Sequence, residues 1–180
     1  MANIKLATLG GGCFWCIEAA LNSVEGVLKA ISGYSGGTIE NPTYQQICQG
    51  DSGHAEVIQV EFDQDIISFE QLLMFFFQLH DPTQLNRQGN DIGTQYRSVI
   101  YYHDNEQRLE AMKQISELNN LKIWPSPIVT EISPVSTFYP AEDYHQNYAN
   151  ENTEQPYCTF IVTPKLEKFK YKFKSYLKNL

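Results

Sequence analysis

Ile4-Lys5-Leu6-Ala7-Thr8-Leu9-Gly10-Gly11-Gly12-Cys13-Phe14-Trp15-Cys16 is the stretch on which the fold reading turns. Its first six residues alternate weakly and stop at glycine, which reads as a short strand. From Cys13 to about Ser23 the spacing is helical, with Ile17, Ala20, Leu21 and Val24 on one face and Gly26 past the end. A thiol in the first turn of a helix lies beside backbone N–H groups and the positive end of the macrodipole, and both favour the thiolate. The expectation is a Cys13 pKa below the ~8.5 of a free thiol. Cys16 shares the helix face with Cys13 and is within disulfide reach in principle. Phe14 and Trp15 between the thiols suggest an apolar pocket wall. The plain alternative is a pair of buried cysteines in a core helix.

Working outward, Val27 to Tyr34 reads as a second strand, stopped by Gly36-Gly37. Residues 38–52 read as a loop in which Asn41-Pro42-Thr43-Tyr44 presents a tyrosine on a turn. Ala55 to Phe62 alternates as a strand. Ser68 caps a helix through Leu79, with Gln71 completing a capping box, and His80-Asp81-Pro82 ends it. A polar loop from Asn86 to Gly93 leads to a strand from Tyr96 to Tyr102, then a helix capped by Asp104 and running to about Asn119. Ile128 to Ile132 reads as a strand. One or two helical turns are expected around Glu142-Asp143-Tyr144-His145. Cys158 to Val162 reads as a short apolar strand, and Leu166 to Leu177 as a basic, aromatic helix. Its Leu166, Phe169, Phe173 and Leu177 fall at spacings of three and four and should pack on the body. The uneven alternation of strands and helices gives an α+β class, with helices against a mixed or antiparallel sheet.

The chain has 180 residues, enough for one domain with a sizeable core. Its net charge of −8 argues against nucleic-acid binding. The charge is unevenly placed: from Lys165 onward there are six lysines against one glutamate. No apolar run reaches the length of a membrane span. Met1 to Lys5 lacks the basic start and apolar core of a secretory leader, so the expected location is the cytoplasm. In that compartment a Cys-x-x-Cys pair points to redox or metal chemistry rather than to a disulfide framework. Cys48 and Cys158 are isolated and the four histidines scattered, which disfavours zinc.

Three further clusters could carry chemistry. Gly53-His54-Ala55-Glu56 places a carboxylate at a strand end, where it can project into a cleft. Asn90 to Ser98 is another glycine loop entering a strand, with Asp91, Tyr96 and Arg97 in it. Tyr144-His145-Gln146-Asn147-Tyr148 is polar and aromatic. Taken singly, each has an ordinary structural explanation: an exposed strand glutamate, a turn aspartate, a surface helix.

Together with the opening motif, these stretches resemble the A-type peptide methionine sulfoxide reductases. The resemblance is carried by Gly11-Gly12-Cys13-Phe14-Trp15, Gly33-Tyr34-Ser35-Gly36-Gly37, Asn41-Pro42-Thr43-Tyr44, Gly50 through Glu56, Asp91 through Ser98, and Tyr144 through Tyr148, in that order. It implies a two-layer α/β plait of the ferredoxin-like kind around a split β-α-β unit. It implies Cys13 as nucleophile, Phe14 and Trp15 as the apolar wall for the substrate's S-methyl group, Glu56 with Tyr44 and Tyr96 at the sulfoxide oxygen, and Asp91 as organiser of that set. A buried carboxylic acid kept partly neutral can protonate the sulfoxide oxygen, which a thiolate attack on sulfur requires. The resulting sulfenic acid condenses with a second thiol, and an external dithiol, thioredoxin in this family, reopens the disulfide. No metal or organic cofactor is required. The better-known members carry recycling cysteines on a glycine-rich tail. Here the C-terminal region offers Cys158 in an apolar run instead, and Cys16 is the favoured resolving thiol. Cys48 reads as structural.

Two other functions compete. A general thiol–disulfide oxidoreductase would use Cys13 and Cys16, although Phe14-Trp15 obstructs the approach of a partner disulfide. A peptide-binding module without turnover would use the same apolar wall.

Overall fold

A computed structural model describes residues 2–179. Strand β1 (Ile4–Gly10) leads through the glycine turn into helix α1 (Phe14–Asn22), and Cys13 is the N-cap residue of that helix. The turn needs glycine twice for different reasons. Gly12 has φ +78°, where an L side chain is strained. At Gly10 a Cβ would sit 2.6 Å from the carbonyl oxygen of Glu56, so only glycine lets the two strands close there.

The remaining elements follow in order: β2 (Val27–Ser35), α2 (Tyr44–Cys48), β3 (Ala55–Asp63), α3 (Phe69–Leu79), β4 (Arg87–Gln88), β5 (Asp91–Ile92), β6 (Val99–Tyr102), α4 (Asn105–Asn120), β7 (Glu131–Pro134), β8 (Tyr139–Pro140), α5 (Tyr148–Glu151) and α6 (Thr163–Lys172). Six strands form one mixed sheet in the order β7-β6-β1-β3-β2-β8. The pair β6–β7 is parallel and the other neighbours are antiparallel. β4 and β5 form a separate hairpin. The capping boxes at Ser68/Gln71 and the Asp104 cap are present as read from the sequence.

The core follows strand parity. Ile58, Val60 and Phe62 of β3 enter the main cluster with Leu9, Ile17, Leu21, Phe76 and Ile100, whereas Ala55 and Val57 join a smaller cluster with Val99 and Tyr101. Phe169 of α6 and Phe173, which caps its C-terminus, close the main cluster, each edge-on to Phe75. The final helix therefore packs on the body through the apolar stripe expected of it.

Five stretches differ from the sequence reading. Residues 38–52 are not all loop: Thr43 Oγ1 accepts from the Gln46 N–H and Gln46 Oε1 accepts from the Thr43 N–H, and this box starts α2. Asn86 to Gly93 holds the β4–β5 hairpin, turned at Gly89 with φ +61°. Tyr96 and Arg97 precede the strand. Thr94–Tyr96 is a 3₁₀ turn, because the Arg97 guanidinium folds back onto the Thr94 carbonyl. The strand expected at Ile128–Ile132 begins three residues later and ends two later, at Glu131–Pro134. Cys158–Val162 is a π-helical turn running straight into α6. Pro164 has no N–H to give the carbonyl four residues back, and its ring crowds that group; a widened turn relieves both.

Candidate active site

Parity also aims Glu56. It lies on the same β3 face as Ile58, Val60 and Phe62, so its carboxylate points inward to the start of α1 rather than to solvent. There Oε1 accepts from the Phe14 N–H at 3.2 Å. This N–H is one that the first helical turn leaves without a partner. Glu56 is 2 % exposed, and burial pushes its pKa up to about 8, with the Phe14 N–H holding it back and Asp91 adding to the rise. The carboxyl is thus predominantly protonated at neutral pH.

Cys13 faces the same space. As N-cap it stands over the N3 position, which is Cys16. The Gly12 N–H donates to the Tyr96 carbonyl at 3.1 Å, tying the Cys13 turn to the Tyr96 loop. Arg97 braces that loop further, donating to the carbonyls of Thr94 and Gly53 at 2.9 Å each and pairing with Glu131 at 3.2 Å. One cavity of about 240 Å³ is lined by Cys13, Phe14, Trp15, Tyr44, Glu56, Asp91, Tyr96 and Tyr157. All seven residues expected at the nucleophile and substrate end of the site meet there. Burial raises the hydroxyl pKa of Tyr44 and of Tyr96, with Glu56 a further cause in both. Both stay protonated and able to donate.

The expected low pKa of Cys13 is corrected. Burial, then the Glu56 carboxylate and the Cys16 thiol, push the Cys13 thiol well above its ordinary value; the Trp15 amide works the other way. The helix start is outweighed because the walls of the pocket strip water from the thiol. Cys16 is also raised, to about 11, by burial, with the Lys165 ammonium lowering it and Cys158 raising it. All four cysteines are free. Cys158 packs beside Cys16 in one small cluster with Ala19, Ala149 and Val162. It reaches that place on the π turn, not on a strand. Cys16 lines a cavity with Cys13, whereas Cys158 lies behind Cys16. Cys48 is exposed at the end of α2, beside the Tyr44 hydroxyl, and is not a core thiol.

Several contributing residues went unassigned in the sequence. The Tyr157 hydroxyl donates to Asp91 Oδ2 at 2.6 Å and closes the pocket. The Trp15 indole donates to His145 Nδ1 at 3.1 Å and stacks on Tyr148, with ring centroids 3.9 Å apart. Glu142 accepts from the Tyr34 hydroxyl and from the Tyr44 N–H, each at 3.0 Å, fixing the start of α2. Glu18, one turn beyond Trp15 on α1, accepts from the Asn147 N–H at 2.8 Å. The Tyr144–Tyr148 stretch carried the resemblance, but its role as backing for the tryptophan shows only in three dimensions. Pro156 at a helix start was the available signal for Tyr157.

A family model described as peptide methionine sulfoxide reductase matches residues 5–177. The chain belongs to that family. A relative from Acinetobacter baumannii named peptide methionine sulfoxide reductase MsrA is 55% identical over 98% of this chain and 100% of its own length. Mxr1 from Saccharomyces cerevisiae in reduced form is similar in structure, with TM-score 0.78 and 36% identity over 86% of this chain and 89% of that one. Mxr1 has also been solved in complex with Trx2; that chain matches with TM-score 0.56 and 28% identity over 81% of this chain and 84% of its own. Like its reductase relatives, this chain has an α+β fold with a mixed sheet and flanking helices. Among the described residues no helix is long and apolar enough to cross a membrane.

Proposed function

We propose that this chain reduces methionine S-sulfoxide, free or within proteins, as a single reductase domain. The observation that carries the reading is the convergence of Cys13, Glu56, Tyr44 and Tyr96 on one cavity walled by Phe14 and Trp15. The sheet order β6-β1-β3-β2, with α1 and α3 as crossovers, supports reading the fold as a ferredoxin-like plait with added edge strands and a C-terminal helix.

Trp15 and Phe14 hold the S-methyl group, and the tyrosine hydroxyls and protonated Glu56 take the oxygen. Glu56 gives its proton to that oxygen as the Cys13 thiol surrenders its own and attacks sulfur. In the resulting adduct the hydroxyl passes from the substrate sulfur to the Cys13 sulfur as the substrate S–O bond and the new S–S bond both break, so methionine leaves and Cys13 holds a sulfenic acid. The thiol proton returns to Glu56, so the count closes. Asp91, held by Tyr157, keeps the polar side of the pocket in register. Cys16 then condenses with the sulfenic acid, releasing water and forming a Cys13–Cys16 disulfide, which a thioredoxin-type dithiol reduces. The Mxr1–Trx2 complex supports the choice of reductant. Cys158, behind Cys16, is the alternative resolving thiol.

Thiol titration after adding methionine sulfoxide, with no other oxidant, tests the reading. The wild type should lose two thiols and yield one methionine per chain, and Cys13→Ser should yield none. A binding module would lose no thiol, and a general thiol–disulfide oxidoreductase would leave the sulfoxide untouched.

A further inference from the structure

Lys165, Lys168 and Lys172 lie at i, i+3 and i+7 on α6 and so share one face of it. That face is not simply solvated. A cavity of about 440 Å³ lined by Cys13, Cys16, Tyr157, Gln88 and Lys165 meets a second of about 280 Å³ lined by Gln88, Trp124, Lys165, Lys168 and Lys172. Gln88 and Lys165 belong to both, so one groove leads from the nucleophile along the lysine stripe. Of the carboxylates on its walls, Asp91 is engaged by the Tyr157 hydroxyl, and Asp81 by the Thr83 N–H and hydroxyl. Lys172 donates to Gln78, and none of the three lysines forms an ion pair among the described residues. With six lysines against one glutamate from Lys165 onward, this end is strongly basic in a chain of net charge −8. An acidic polypeptide is therefore repelled by the body as a whole and attracted along this groove.

We propose that the groove binds an acidic stretch of the polypeptide that carries the oxidised methionine. The inference rests on the reading that the cavity at Cys13 takes the sulfoxide. A methionine side chain inserted there leaves its backbone at the mouth, and the groove offers the flanking residues a path past Lys165 to Lys168 and Lys172. Substrates with aspartate or glutamate a few residues from the sulfoxide are then captured preferentially.

The test compares kcat/KM for peptides with one methionine sulfoxide core, flanked on either side by three aspartates or by three asparagines. Dithiothreitol serves as reductant, so recycling by a protein partner plays no part. The wild type should favour an aspartate peptide about tenfold at low salt, and 0.5 M NaCl should remove the preference. Lys168→Gln with Lys172→Gln should lower kcat/KM for that peptide about tenfold and for its asparagine counterpart less than twofold; Lys168→Arg with Lys172→Arg should restore the preference. Equal rates for both peptides in the wild type, or a preference that survives the double glutamine change, would overturn the proposal. So would a glutamine variant whose only defect is a raised KM for thioredoxin, which would give the groove to the reductant. Failure to reduce any peptide, or free methionine sulfoxide, would instead count against the catalytic reading itself.

Discussion

The two halves of the pocket are held in different ways. Cys13, Glu56 and Tyr96 sit on strand ends and glycine turns locked by backbone contacts: the Gly12 N–H to the Tyr96 carbonyl, Gly10 against the Glu56 carbonyl, and Arg97 across two loops. The opposite half comes from the last forty residues or so and is held to α1 mainly through side chains: Trp15 to His145 and Tyr148, Glu18 to Asn147, Cys16 to Cys158. Groups that exchange protons and electrons need fixed geometry, and the sheet supplies it. Walls and recycling tolerate movement, and a wrapped segment joined to the body by one short antiparallel bridge, Val24 to Leu177, and otherwise mostly by side chains allows it. The difference predicts graded consequences when each half is disturbed.

The largest effect should come from the thiols, because they divide across the two halves. Cys16→Ser should release one methionine per chain with thioredoxin present and then stall with a sulfenic acid on Cys13, detectable by dimedone labelling and mass spectrometry. Cys158→Ser should keep turning over at a rate within a few-fold of the wild type. The opposite pattern would move recycling to the wrapped half.

Glu56→Gln comes next. Loss of a positioned acid should slow single-turnover reduction by about 10²–10⁴-fold with little change in substrate affinity. The pH profile sharpens this. With the Glu56 pKa at about 8, the wild-type rate should fall as pH rises through that value, and the glutamine variant should lack this limb. The same group shapes stability. Its folded pKa is raised above its unfolded value, so its favourable contribution is full below about pH 4.5 and is lost as pH climbs to about 8. The slope is at most ~1.4 kcal/mol per pH unit. Glu56→Gln should therefore be the more stable protein at pH 8, measured by urea unfolding, while being nearly inactive.

The rigid half was the legible half. Its residues sit in short local patterns, glycine next to cysteine, glycine next to tyrosine, which report a turn and the group that it presents. Even there Glu56 had an ordinary explanation as an exposed strand glutamate, whereas its parity with Ile58, Val60 and Phe62 turns it inward. The wrapped half was misread for a reason of range. Cys158-Thr159-Phe160-Ile161-Val162 has strand-like composition, yet tertiary packing against α1 holds it helical. Nothing local in Tyr157 announces a partner 66 residues away at Asp91. The Cys13 pKa was misjudged because a helix start is visible in sequence and the walls that desolvate the thiol are not.

Tyr157→Phe should have a smaller effect than any of these. It removes the donor to Asp91 without changing the aromatic wall, leaving a half-buried carboxylate one hydrogen bond short. A hydrogen bond to a charged group contributes about 1.5–3 kcal/mol, so kcat/KM should fall about ten- to a hundredfold, with the loss shared between kcat and KM. An unchanged rate would show that Asp91 organises the pocket without help from the C-terminal half.

The smallest effect, and the sharpest test of how the halves are joined, is Glu18→Gln. Glu18 is 3 % exposed, and its Oε1 holds the Asn147 N–H in the left-handed turn, φ 59°, between His145 and Tyr148. Its Oε2 has no partner among the described residues, although the Ser32 hydroxyl lies beside it and is also unsatisfied. Burial raises the Glu18 pKa to about 7, opposed by the Asn147 N–H and the Ser32 hydroxyl. Its contribution to stability is thus full below about pH 4.5 and lost as pH rises to about 7. Glutamine keeps the acceptor for Asn147 and offers an N–H to Ser32, which mimics the protonated acid. The variant should show a flatter Tm from pH 5 to 8 and a KM within twofold of the wild type. Glu18→Ala strands the Asn147 N–H, an unmet donor costing ~1–3 kcal/mol, and should loosen the support behind Trp15. KM should rise several-fold while kcat at saturation holds, since nothing on the sheet side has moved. A fall in kcat with constant KM would mean that the wrapped half positions the nucleophile as well as the wall.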